Sequence, residues 1–320
     1  MRRLFSSGVL TVALAVMAHA QPVKDQLAAA NAALQAGDAD RVMTMLDSLP
    51  ASAEVLGLKC RVQFVLEHWD AAVEVCQQAV NLDQQNSDDH LWLGRALGEK
   101  ADRASFMSAY SLAKHLRDEF ETAVRLNPRN AEAMADLGEF YASAPSVVGG
   151  GTEKAEALLP QLDQVDPVRG QELRARIADE KKDYESGERY FKSAIAMSQH
   201  PALQWMTLAS FYRRRQRWDD LDSAIQSGLK AAQRDRHSGL ALFNGSDALI
   251  KAKRNPALAE KMLEDYLASS NLTEEAPAFV AHTRLARLKA QLGDKAGASR
   301  ERSAALALAH DYKPAQELKF

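Results

Sequence analysis

Cysteine is almost absent from this 320-residue chain: Cys60 and Cys76 are the only two. So sparse a set excludes a disulfide-built miniprotein, and with no Cys-x-x-Cys it also excludes a dithiol redox motif. Glycine and proline are scarce, at 16 and 10 residues. Few segments show the strict polar–apolar alternation of a half-buried strand, so the chain reads as all-α. After the N-terminus no apolar run approaches the ~20 residues that a spanning helix needs. There is no excess of basic charge either. The formal net charge is −3, which argues against non-specific nucleic-acid binding.

Compact chemical signatures are missing as well. There is no His-Glu-x-x-His spacing and no Gly-x-Ser-x-Gly elbow. His68, His90, His115, His200, His237, His282 and His310 are scattered along the chain, and each reads as a surface or inter-helix residue. No catalytic residue, metal site or cofactor is expected. The loop Ala144–Thr152 contains three consecutive glycines, Gly149 to Gly151. It lacks the Lys-Ser/Thr pair and the preceding strand of a phosphate loop, and reads as an exposed or sharply turning connection.

The first twenty residues differ from the rest. Arg2 and Arg3 precede an apolar centre, and Ala18-His19-Ala20 is a small-x-small ending. Residues 1–20 therefore read as a cleavable secretory signal peptide. This leads to an expectation of periplasmic or secreted location, with residues 21–310 as a helical domain and 311–320 as a polar C-terminal tail capping the stack.

The domain repeats internally. Ala72, Cys76 and Ala79 share one helical face, and Phe120, Ala123, Leu126 and Pro128 repeat the spacing of Cys76, Ala79, Leu82 and Gln84. Small residues recur at Cys60 and Gly94, and at Ala175 and Ala209. Trp205, Leu208, Ala209 and Tyr212 form a motif of bulky, apolar, small and aromatic residues, followed by Trp218, Leu221, Ile225 and Gly228. In these features the chain resembles the tetratricopeptide repeat family, a 34-residue pair of antiparallel helices. The resemblance covers most of residues 22–310. It implies a right-handed α-solenoid of about eight antiparallel helix pairs with a concave groove lined by first helices. A non-repeating helical bundle is the other arrangement open to this pattern. The unit after Gly94 is stretched over Glu99–Ser111, so its helices are expected to be long.

In the repeat register Cys60 is position 8 and Cys76 position 24, equidistant from a turn at His68. Antiparallel helices would bring them face to face, either as a disulfide or as two buried thiols, and the export signal favours the disulfide. The resemblance further implies ligand contacts at position 9, here Arg61, Arg95, Glu139, Arg176, Ser210 and Arg287, with Arg213 at position 12 of the sixth unit. The function expected is a non-catalytic scaffold holding a protein or peptide partner, with an arginine stripe suited to a carboxylate-bearing guest. These arginines could instead pair with acidic neighbours between repeats. The alternative function is an enzyme or regulatory subunit with a site near Gly149–Gly151.

Overall fold

The computed structural model describes residues 23–320, so the leader expected over residues 1–20 lies outside the described residues. The chain forms eight helix pairs in sequence order: α1 (Val23–Gln35) with α2 (Ala39–Asp47), α3 (Ala53–Val65) with α4 (Trp69–Leu82), α5 (Ser87–Ala101) with α6 (Phe106–Leu126), and α7 (Ala131–Ser143) with α8 (Thr152–Val165). They continue as α9 (Pro167–Glu180) with α10 (Tyr184–Met197), α11 (Ala202–Arg214) with α12 (Trp218–Ala232), α13 (Gly239–Ala252) with α14 (Pro256–Leu267), and α15 (Ala278–Gln291) with α16 (Lys295–Leu308). A short α17 (Lys313–Gln316) follows. Among the described residues there is no strand, and no helix is long and apolar enough to cross a membrane.

The repeat is written into the turns. Five hairpins place a left-handed residue two positions before their second helix: Gly37, Glu67, Lys182, Gln216 and Gly293. In each, the next residue's N–H reaches back five residues, as from His68 to Gln63 and from Arg217 to Tyr212, both at 3.0 Å. This closes the helix end and reverses the chain. In three of these hairpins the second helix starts on an acidic cap: the carboxylates of Asp38, Asp183 and Asp294 accept from Arg41, Ser186 and Gly297 N–H. The third and fourth hairpins lack this turn. There α6 is extended to 21 residues, and the α7–α8 connection is the glycine loop.

That loop turns sharply. Gly149 has φ +100° and Gly151 φ +152°, a region open mainly to glycine. A side chain at Gly150 would drive its Cβ into the Ala144 carbonyl oxygen. The Arg117 guanidinium on α6 donates to Val148 O at 3.3 Å, and Lys154 Nζ to Gly149 O at 2.8 Å. The long helix and the glycine loop thus brace each other.

Small residues sit where helices approach closely, within a hairpin and between neighbours. Cys60, Ala175, Ala209 and Ala286 are at most 1% exposed. A Cβ on Gly94 would overlap the Phe120 ring, and one on Gly138 would lie 2.5 Å from Leu173. Cys60 and Cys76 are joined as a disulfide between α3 and α4, with Cα atoms 4.9 Å apart, inside the range such a bond needs.

The solenoid curls until its ends meet. Residues of α1–α3 share one apolar core with Phe279, Ala305, Ala309, Tyr312 and Ala315. The segment 311–320, expected as a polar cap, instead contains α17 and buries Tyr312 against Phe279, ring centroids 4.8 Å apart. Buried Glu274, in the α14–α15 connection, accepts from Arg61 Nε at 2.9 Å, again from Arg61 Nη2, and from Gln35 Nε2 at 2.6 Å. Tyr312 Oη donates to Glu67 at 2.8 Å, and His310 Nδ1 lies 2.8 Å from Asp40. The concave groove is therefore closed on itself into a ring.

One buried group in α5 works against stability. Asp89 is 6% exposed and its Oδ2 has no hydrogen-bond partner. Burial, reinforced by Asp83 and Asp88, pushes its carboxyl from 3.8 up to about 6. The folded chain thus holds this proton more tightly than the unfolded one. The stability it contributes is complete below pH 3.8 and is lost as pH rises through 6, a loss of order 2–3 kcal/mol at ~1.4 kcal/mol per unit. Asp89→Asn is expected to match the wild type in urea unfolding at about pH 3.5 and to be about 2 kcal/mol more stable at about pH 8. Equal stabilities at the higher pH would remove this assignment.

Candidate binding chamber

The ring surrounds a chamber of about 820 Å³ that is broadly open to solvent. The first helix of every hairpin from the second to the eighth reaches it: Val65 from α3, Trp92 from α5, Phe140 from α7, Arg169 from α9, Leu203 from α11, Leu240 from α13 and Val280 from α15. Its volume falls within the range of ligand pockets in proteins. The wall is aromatic and acidic. Phe64, Trp69, Trp92, Phe120, Phe140 and Phe243 supply rings. The carboxylates are Glu67, Glu99, Asp102, Glu132, Asp136, Glu139, Glu274 and Glu275, against the guanidinium groups of Arg95, Arg169 and Arg284. No lysine or histidine is among the lining residues.

The structure distributes the residues expected from position 9 unevenly. Arg95 and Glu139 line the chamber. Arg95 donates to Asp136 at 2.6 Å and Glu132 at 3.1 Å and stacks 4.7 Å over Trp92. Burial pulls its pKa down, but these carboxylates outweigh it and hold the guanidinium above its usual range. Arg61, at the seam, is taken up by Glu274 and lies 5.7 Å over the same Trp92 ring. Arg176 sits 3.7 Å from Glu139 and 3.4 Å from Glu180. Ser210 lines a separate cavity of about 220 Å³ with Arg214 and Asp247. Arg213 forms no ion pair among the described residues, and its buried Nε is without a hydrogen-bond partner. Arg287 donates to Pro314 O at 3.2 Å and holds the tail.

Position 9 therefore does not present a stripe of free guanidinium groups. Arg61, Arg95 and Arg176 are paired with carboxylates, because acidic residues on neighbouring helices and on the α14–α15 connection come within reach. Glu139 and Arg176 come from adjacent first helices, whereas Glu274 reaches Arg61 only because the ring closes. The chamber wall includes Phe140 and Ser143 of α7 but no residue of the Gly149–Gly151 loop.

Glu274 and Glu275 were not singled out in the sequence. They lie in an irregular connection outside the repeat register, so no periodicity marks them. The same holds for Asp40, His310 and Asp311, whose ligand-type atoms lie within 4.8 Å of one another at the seam. They come from opposite ends of the chain, so sequence spacing cannot reveal them. Within the group His310 is hydrogen-bonded to Asp40, which raises the histidine above its ordinary pKa.

The fold is an all-α solenoid of consecutive helix hairpins. No protein-family model matches the sequence, and no curated protein matches it. Among solved structures the chain is similar to a thermophilic TPR protein from Thermus thermophilus. The identity is 19% and the TM-score 0.49, covering 59% of this chain and 97% of that one. It is also similar to a tetratricopeptide repeat protein from Parabacteroides merdae, at 13% identity and a TM-score of 0.42, covering 92% of this chain and 98% of that one.

Proposed function

We propose that this chain is an exported, non-catalytic scaffold that holds a peptide or protein segment inside its ring. The observation that carries this reading is the construction of the chamber: seven first helices, one from each consecutive hairpin, contribute to one wall. Such a wall offers distributed contact along an extended guest, whereas an enzyme concentrates nucleophile, base and orienting groups at one point. Arg95 and Glu139 are the expected residues placed to meet the guest directly. Arg61, Arg176, Ser210, Arg213 and Arg287 are not among the residues that line it.

Export is supported by the leader pattern over residues 1–20 and by the Cys60–Cys76 disulfide, a bond that persists in oxidising compartments. The location that follows is periplasmic or secreted. Intact mass of protein recovered from an envelope fraction should place the mature N-terminus after Ala20.

The chamber itself is tested by site-specific photo-crosslinking. A photoreactive residue at Ser143, exposed on the chamber wall, should capture a partner in the producing cell. The same residue at Glu185 on the outer helix α10, whose side chain is 89% exposed, should capture none. Capture from Glu185 alone, or no capture from Ser143, would refute the scaffold reading.

A further inference from the structure

The charge of the wall narrows the class of guest. We infer that the chamber takes a basic peptide segment, with its lysine or arginine side chains inserted between the carboxylates and aromatic rings of the inner wall. This rests on the chamber being the binding surface and specifies what it binds.

The wall already holds cations in this manner. Arg95 lies over Trp92 while pairing with Asp136 and Glu132. Arg284 lies 4.1 Å over Phe243 and pairs with Asp247 at 2.9 Å. At the edge, Arg103 lies 4.6 Å over Trp69 and pairs with Glu99 at 2.8 Å. Each combines a carboxylate with an aromatic face, the two groups that bind a partly desolvated cation best.

The carboxylates exceed what these internal cations satisfy. Glu67, Asp102 and Glu275 line the chamber and make no ion pair among the described residues. A concave wall of one predominant sign focuses its field into the cavity and attracts the opposite charge. Five of the eight lining carboxylates are already paired with arginines, so a carboxylate-bearing guest would meet the uncompensated charge of Glu67, Asp102 and Glu275, whereas a cationic guest would be drawn to it. A lysine or arginine stem could lie along Leu203, Leu240 and Val280 while its head reaches the acidic groups.

The test uses fluorescently labelled peptides and the full mature chain. A capped Lys-Phe-Lys-Phe-Lys peptide is compared with its Glu-Phe-Glu-Phe-Glu counterpart by anisotropy. The basic peptide should bind at least about tenfold more tightly, with affinity falling as salt is raised. Glu275→Gln combined with Asp102→Asn should weaken it about three- to tenfold, whereas Glu185→Gln on the outer face should leave it unchanged. Equal or tighter binding of the acidic peptide, or no response to the paired substitutions, would overturn the inference. If neither peptide binds while Ser143 still captures a partner, the assigned charge class falls and the scaffold reading stands. If Ser143 captures nothing, the scaffold reading falls and the inference goes with it.

Discussion

Replacing Glu274 by alanine is expected to open the ring. This carboxylate is 4% exposed and accepts from Arg61 twice and from Gln35 once, while its own N–H donates to Gln35 Oε1 at 3.2 Å. Removing it strands the Arg61 guanidinium, whose side chain is only 22% exposed. Breaking a buried pair in this way costs about 3–5 kcal/mol, because the surviving charge is left uncompensated. The penalty falls on the contact between first and last hairpins. In a stack where each hairpin otherwise touches only its neighbours, it acts locally. Amide exchange should accelerate in α1 and α2 by roughly two orders of magnitude or more, since each ~1.4 kcal/mol is a factor of ten, and small-angle scattering should show a larger radius of gyration. Glu274→Gln keeps part of the hydrogen bonding and should fall between wild type and alanine. Unchanged exchange in α1 and α2 would mean that the apolar seam around Phe279 and Tyr312 suffices to close the ring.

The disulfide carries the second large effect. Cys60 and Cys76 are 16 residues apart in sequence, and closing so short a loop contributes about 3 kcal/mol through the unfolded state. Both cysteines are buried. Alanine at position 60 fills a slot that elsewhere in the repeat holds alanine or glycine, whereas Cys76 aligns with the larger Phe120 and Ile225, and removing each sulfur leaves only a small cavity. The Cys60→Ala/Cys76→Ala protein should therefore lose about 3 kcal/mol in denaturant unfolding, with the loss centred on α3 and α4. Because neither sulfur meets solvent, reductant should act on the native protein only as fast as this hairpin opens. Rapid alkylation of both thiols in native protein without reductant would show that the bond is not formed.

Particular residues show what was legible. The hairpin count could be read because burial demands a helical period and small residues at crossings; Gly94, Ala175 and Ala209 mark those crossings. The juxtaposition of Cys60 and Cys76 could be read because two antiparallel helices align positions equidistant from their turn. The lengthened α6 was visible as extra residues between Gly94 and Pro128. The repeated turn was not visible, since Glu67, Lys182 and Gln216 occupy left-handed conformations that glycine takes at Gly37 and Gly293. The helix-closing hydrogen bond of the next residue's N–H holds that conformation against the residue's own preference.

The arginines mark the boundary most clearly. Their presence at position 9 is a property of the chain, but their partners are a property of the ring. Arg61 meets Glu274 across 213 positions, and nothing local encodes that meeting. It results from small rotations between successive hairpins that accumulate until the first reaches the last. The sequence by itself determined the helices, their pairing, the juxtaposition of Cys60 and Cys76 and the stacking order, because these depend on contacts within one hairpin or between neighbours. Only the tertiary structure decided that the groove closes, that its wall is acidic and that three of the expected arginines are spoken for, because those depend on the summed curvature of all eight hairpins.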